Sequence, residues 1–262
     1  VELQRRAEDI RRQGLGLIAV SYDSAVTLKA FADSRTITFP LISDPGSTII
    51  RRYGLLNEGV DVKSRNYGIP HPGTFIVDRK GVVVSRFFED AYQERYTTGA
   101  MLSGIGGGSA FQATTAHLSM AVSVSDTEAA PGARLSVVAD VTPAPTMHVY
   151  APGKHTYQVI RVEIDPQPWL KVHPIVYPTS TIYHFKPLDE RVEVFVKPFR
   201  LRRDVTLLAT QEAHKLLGAM TAATLTGAVE YQACDDKICF NPMRVPVTFT
   251  IALKALDRKP PG

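Results

Sequence analysis

LTGAVEYQACDDKICFNPMRVPVTFTIAL, residues 225–253, decides how this chain is read. Two apolar-alternating runs meet across Asp235-Asp236-Lys237-Ile238, with Cys234 and Cys239 at the two ends of that connection. Alternation at period two is the pattern of a strand with one buried face, so the segment predicts a β-hairpin. Residues flanking such a loop are cross-strand neighbours, and their Cβ atoms can reach the roughly 3.5–4.5 Å separation that a disulfide requires. No other cysteine occurs in the 262 residues. A bridge over so short a loop restricts the unfolded chain by only roughly 2 kcal/mol, against nearer 5 for a loop of about a hundred residues. That favours a redox-active pair; a plain staple is the alternative.

Parity refines the expectation. Leu225, Gly227, Val229 and Tyr231 share one face, while Glu230, Gln232 and Cys234 share the polar one. Cys239 has the parity of Val245 and Phe249, so bringing both sulfurs to one face needs a bulge or break, for which Asn241-Pro242 is the natural place. The bond is therefore expected near the surface of an edge hairpin, open to an attacking thiolate. Asp235 and Asp236 disfavour a thiolate and Lys237 favours one, which suits a carrier that awaits a partner's activated thiol. No second cysteine or histidine cluster lies close by in sequence, so neither a zinc site nor any other metal or cofactor is expected.

Outward from the hairpin, the same texture continues upstream. Leu118, Met120, Val122 and Val124 alternate, as do Leu135, Val137, Ala139 and Val141, then Val192, Val194 and Val196. Many short alternating strands separated by Pro and Gly predict an antiparallel β-sandwich over residues 113–256, followed by a tail, 257–262. The glycine-rich stretch around GAMLSGIGGGSA reads as a flexible linker, 99–112. Residues 1–98 read as an α/β unit. Leu15 to Ser21 is a short apolar run expected to be a strand buried on both faces of a parallel sheet. Asp23-Ser24 should cap a helix with an apolar stripe of Val26, Ala30 and Phe31, and Phe39 to Ile42 should form the next strand. Asp44-Pro45-Gly46 should then turn into a helix ended by Gly54. Strands Thr74–Val77 and Val82–Phe88 flank a turn at Asp78-Arg79-Lys80-Gly81. Trp169 is expected in the core, and His148 in strand packing or a loop hydrogen bond.

The net charge of +4 is mixed with acidic residues throughout, which is no nucleic-acid footprint. No apolar run approaches the roughly 20 residues of a membrane-spanning helix. Val1 opens a segment in which Leu3, Ala7 and Ile10 already stand at helical spacing, so the start is expected to be a truncated or processed end with any export signal upstream.

At the hairpin, YQACDDKICFNP, with VPVTFTIAL after it and MHVYAPG upstream, resembles the N-terminal domain of the DsbD family of bacterial periplasmic thiol-disulfide interchange proteins. The resemblance covers roughly residues 113–255. It implies an immunoglobulin-like sandwich whose cysteines, here Cys234 and Cys239, accept electrons from a membrane-embedded donor and pass them to periplasmic thiol proteins. It also implies a cap loop with an aromatic shield, placed at TIYHFKP, with Tyr183 or Phe185 as the shield and His184 adjacent. The cysteine spacing is one residue shorter than in some members.

Residues 1–98 look like the latter part of a peroxiredoxin of the AhpC/TSA type, on LGLIAVSYDS, FPLISDPGSTIIRRYGLL and GIPHPGTFIVDRKGVVV. This resemblance implies a thioredoxin-like fold whose first strand and reactive cysteine would precede the opening helix. No cysteine lies in this part of the chain. Pro72 stands where thioredoxin-like proteins keep a cis-proline and many peroxiredoxins an arginine; the cis form is expected ahead of the alternative, a trans turn proline before a strand. His71 reads as a turn residue.

Together these imply an exported thiol-disulfide oxidoreductase that relays electrons from Cys234-Cys239 to a peroxiredoxin-like site, with thiol-exchange proteins as partners. Two rivals stand beside it. One is a peroxiredoxin-type antioxidant enzyme whose sandwich only docks it and carries a structural disulfide. The other is a binding module that recognises a partner by strand addition.

Overall fold

The computed structural model describes residues 1–88, 93–102, 110–185 and 189–255. The chain divides into two units, 1–105 with 256–262, and 106–255.

The first unit opens with two short helices, α1 (Glu2–Arg5) and α2 (Ala7–Arg12), in which Ala7 and Ile10 are buried at helical spacing. Then come β1 (Ala19–Ser21), α3 (Ala25–Arg35), β2 (Leu41–Ser43) and α4 (Thr48–Arg52). β1 and β2 pair in parallel, Ala19 with Leu41 and Ser21 with Ser43, as the strand-helix alternation predicts. Ser24 caps α3 by accepting from Thr27 N. The Asp44 carboxylate accepts from Thr48 N and Ile50 N, holding the first turn of α4, and Gly54 takes the left-handed conformation beyond its end. β3 (Gly73–Val77) and β4 (Val83–Phe88) form the expected hairpin, its turn held by the Asp78 carboxylate. A short strand β5 (Arg95–Tyr96) and helix α5 (Thr98–Met101) follow.

Three expectations in this unit are corrected. The strand expected from Leu15 begins only at Ala19 and is not covered on both faces: Ile18 is 62% exposed. Among the described residues its sheet has two strands, and Val20 within it is 38% exposed. Helix α3 buries Leu28, while Val26 is 80% exposed, because the helix is rotated from the expected stripe. Pro72, at the extended lead-in to β3, is trans, since no cis peptide bond occurs among the described residues. The trans form is the one X–Pro bonds favour by about 0.5–1 kcal/mol unless surroundings force the other.

Of the stretch 99–112 expected as a linker, 99–101 lie in α5 and 110–112 in a strand. Residues 103–109, like the tail 257–262, lie outside the described residues.

The second unit is a sandwich. Its strands are β6 (Ala110–Thr114), β7 (Leu118–Val124), β8 (Glu128–Ala129), β9 (Ala133–Pro143), β10 (His148–Tyr150), β11 (Arg161–Ile164) and β12 (Leu170–Val176). They continue with β13 (Thr181–Phe185), β14 (Glu190–Phe195), β15 (Phe199–Leu207), helix α6 (Gln211–Gly218), β16 (Ala222–Tyr231), β17 (Ala233–Cys234) and β18 (Met243–Leu253). One layer runs β12-β15-β9-β7-β6 and the facing one β11-β16-β18-β8. Leu118, Met120, Val122 and Val124 from the first pack with Val229, Tyr231, Phe249 and Ile251 from the second, and Trp169 is buried among them. These inward sets are the alternating residues, as period two requires of a half-buried sheet. Val196, grouped with Val192 and Val194 in the sequence, lies beyond β14 and is exposed. A third sheet, β13-β14-β10-β17, places the two-residue strand of Cys234 at its edge. Among the described residues no helix is long and apolar enough to cross a membrane.

His173, 9% exposed, sits with Nε2 2.8 Å from Thr206 Oγ1. Burial first, then Arg134 and Lys171, pushes its pKa down to about 4 from the ordinary 6.5. The unfolded chain therefore binds a proton that the fold refuses, and the stability held above pH 6.5 is lost as pH falls towards 4. Replacing His173 by Gln is expected to remove that part of the acid sensitivity. Urea unfolding at about pH 7 and pH 4.5 checks it, and equal acid losses in both proteins would contradict the assignment.

Candidate redox site

The expected hairpin exists, with one irregularity. β16 and β18 pair from Ala222 with Ala252 to Tyr231 with Met243, and the ladder resumes as a single bridge between Cys234 and Cys239. Three steps separate Tyr231 from Cys234, while four separate Cys239 from Met243. The extra residue falls in Phe240-Asn241-Pro242 and flips Cys239 to the face where it meets Cys234. The two cysteines are joined in a disulfide.

The sulfurs do not share one environment. Cys239 is exposed at the tip, beside Ile238, which is 56% exposed. Cys234 is only 1% exposed and packs with Tyr150, Val192 and Val194. This corrects the expectation of a polar, open face for Cys234. After Tyr231 the chain leaves the sheet of β16 and β18, and as β17 it pairs with β10, Ala233 with Val149 and Cys234 with His148. Glu230 and Gln232 therefore do not report the surroundings of Cys234.

Aromatic rings line the pair. The Tyr150 hydroxyl lies 2.9 Å from Cys234 Sγ and 3.3 Å from Cys239 Sγ. Its ring stacks on Tyr157 at 4.1 Å and 5°, and the Tyr157 hydroxyl donates to Glu190 Oε2 at 2.7 Å. Burial, then Tyr157 and Glu190, pushes Tyr150 well above the usual phenol range. His148 packs against Tyr183 at 4.4 Å with the rings tilted by 33°; burial lowers its pKa, opposed by Asp236 and Asp235. The loop tip is held by Asp235, whose Oδ1 accepts from Lys237 N at 2.7 Å and Ile238 N at 2.8 Å. Those two bonds hold its carboxyl below the usual range.

Of the residues singled out in TIYHFKP, Tyr183 and Phe185 reach the site and His184 does not. Tyr183 and Phe185 share one face of β13 and line the cleft beside the cysteines, and the Tyr183 hydroxyl donates to Asp236 Oδ1 at 2.6 Å. His184 faces the other way, its Nε2 2.7 Å from Asp189 Oδ1. The cleft encloses about 10 Å³, room for about one water. No group of three or more metal-ligating side chains occurs among the described residues. Sequence reasoning missed Tyr150, Tyr157 and Glu190. Tyr150 lies inside MHVYAPG, whose resemblance could have flagged it; Tyr157 and Glu190 carry no local signal. Pro72 belongs to the other unit.

The family model of the N-terminal part of thiol:disulfide interchange protein DsbD matches residues 119–250, half of the chain. The chain belongs to the DsbD N-terminal family. Ahead of its DsbD N-terminal sandwich it carries a segment, residues 1–86, matched by the AhpC/TSA family model. That segment is similar to alkyl hydroperoxide reductase C of Staphylococcus aureus strains N315 and COL, 34% identical over 86 residues. The match covers 31% of this chain and 42% of each of those relatives, less than half their length. Among solved structures, the N-terminal periplasmic domain of ScsB from Proteus mirabilis aligns at 11% identity and a TM-score of 0.38, covering 56% of this chain and 52% of that one. The reduced DsbD N-terminal domain from Neisseria meningitidis aligns at 14% identity and 0.30, covering 45% and 76%. The fold is thus a thioredoxin-like AhpC/TSA unit followed by an immunoglobulin-like sandwich of the DsbD N-terminal type.

Proposed function

We propose that this chain carries electron pairs between thiol proteins through Cys234 and Cys239. The observation that supports it most is the inequality of the two sulfurs: Cys239 exposed, Cys234 buried behind it. An incoming thiolate of a partner dithiol attacks Cys239 Sγ, the Cys234–Cys239 bond breaks, and its electron pair leaves on Cys234 Sγ. The partner's second thiolate then attacks its own sulfur in the mixed disulfide and releases Cys239. Two electrons pass to the pair, and the partner leaves oxidised. A cleft with room for about one water suits a sulfur presented on a protein loop better than an enclosed small substrate. Tyr183 and Phe185 act as the cap that must yield to it.

The donor proposed is a DsbD-like membrane protein. The acceptor proposed is a peroxiredoxin-type site completed by residues upstream of the AhpC/TSA-like segment. Tethering the two domains would raise their effective concentration. The proposed setting is the periplasm or another exported location, where such disulfides persist.

A second reading has an observation of its own. Burial of Cys234 among Val192 and Val194 also suits a structural bridge in a binding module. Redox titration separates the two. A potential between about −120 and −270 mV is expected of a carrier, whereas one below about −300 mV would make the bond a staple.

A further inference from the structure

We infer that the Tyr150 hydroxyl is the hydrogen-bond donor that receives the Cys234 thiolate when the disulfide opens. The inference rests on the exchange reading above and assigns a catalytic residue within it.

When a dithiol opens the bond through Cys239, negative charge develops on the other sulfur. Cys234 is 1% exposed and packed against Val192 and Val194, where an unassisted anion is strongly disfavoured. Tyr150 places its hydroxyl 2.9 Å from that sulfur, within hydrogen-bond reach before any bond breaks. A donor already aimed at the atom that will bear the charge needs little reorganisation as the charge appears. The longer 3.3 Å approach to Cys239 leaves the exposed sulfur to the incoming nucleophile.

Tyr150 donates a hydrogen bond and keeps its proton. Burial, Tyr157 and Glu190 all hold it as a phenol, so transfer to sulfur would create a tyrosinate in a place that rejects one. The proton that completes each thiol comes from solvent. Tyr157 and Glu190 are positioning residues: the parallel stack fixes the plane of the Tyr150 ring, and the bond from Tyr157 to Glu190 anchors the stack to β14. The other titratable groups near the pair are His148 on β10, Tyr183 on β13, and Asp235, Asp236 and the solvent-exposed Lys237 in the loop. The two aspartates oppose a thiolate, and burial keeps His148 from readily becoming a cation. That leaves Tyr150 as the side-chain donor in contact with Cys234 among the described residues.

Tyr150→Phe keeps the ring and the stack and removes only the donor. Reduction of this variant by dithiothreitol, followed by quenched alkylation, is expected to be about tenfold slower than wild type. In a Cys239→Ser background, where Cys234 is the only thiol, thiolate absorbance should titrate about one pH unit higher with Tyr150→Phe. Equal rates and equal titrations would overturn the inference. Should the variant fail to fold, wild type labelled with 13C at tyrosine Cζ decides: one ring resonance should follow titration of the reduced pair, and none doing so would overturn it. These readouts concern any openable disulfide, so the inference can fail while the carrier reading stands. A potential below about −300 mV would remove the carrier reading without touching the chemistry at Cys234.

Discussion

A Cys239→Ser protein is expected to lose exchange with a thioredoxin-like dithiol by more than about a thousandfold, because the sulfur left behind cannot be reached. Cys234→Ser should behave differently. Its Cys239 thiol stays exposed and should form a mixed disulfide that no internal thiol can resolve. Non-reducing gels and intact mass read both outcomes directly: a trapped partner adduct on the Cys234→Ser protein and none on Cys239→Ser. If both variants trapped the partner equally, the assignment of Cys239 as the attacked sulfur would be wrong. If neither lost exchange, the pair would not be the carrier.

The next largest effect is expected far from the sulfurs. Gly227 in β16 lies opposite Ile164 of β11, and a Cβ there would penetrate the carbonyl oxygen of Glu163 and stand 3.0 Å from Ile164 Cα. Both obstacles are backbone, so no side chain can rotate away. Gly227→Ala is therefore expected to force β11 off β16 at about 3 kcal/mol, the upper range for an overpacked site. For a unit of this size that lowers the melting temperature by about 6–12 °C. Amide exchange should rise over Arg161–Ile164 in particular, since those residues pair with β16. An unchanged melting temperature would mean that the strands can part without loss. The same β16 leads into Cys234, so looser pairing should also show as faster, less selective reduction.

Much of the sandwich could be read before it was seen, for a simple reason. Where a strand has one face on a common core, period two names the buried residues, and Leu118 to Val124 obey it; in β9 the alternating set is buried too, but so are Ser136 and Val138 between its members. Local chemistry was equally legible: the Ser24 cap, the Gly54 helix end and the Asp78 turn are each decided within a few residues. The cysteine pairing and the offset at Asn241-Pro242 belong to the same class. What escaped was convergence. Tyr150, Tyr157, Glu190 and Cys234 come from separate stretches, and alternation tells which side a residue faces without telling what it meets. The burial of Cys234 was misjudged because parity was counted along one sheet, while the chain had already crossed to another after Tyr231. In the first unit, Ile18 and Val20 carry the apolar character of an interior strand yet stand exposed.

The one-residue offset between the two arms of the cysteine hairpin has an evolutionary corollary. Sulfur placement is set by how many residues each arm contains, and Asp235 closes the turn on the backbone of Lys237 and Ile238, so those bonds make no demand on the two side chains. Both side chains are exposed in the loop between the cysteines. On the exchange reading proposed above, substitutions at those two positions would change the surface offered to a partner while leaving the backbone bonds of the turn in place.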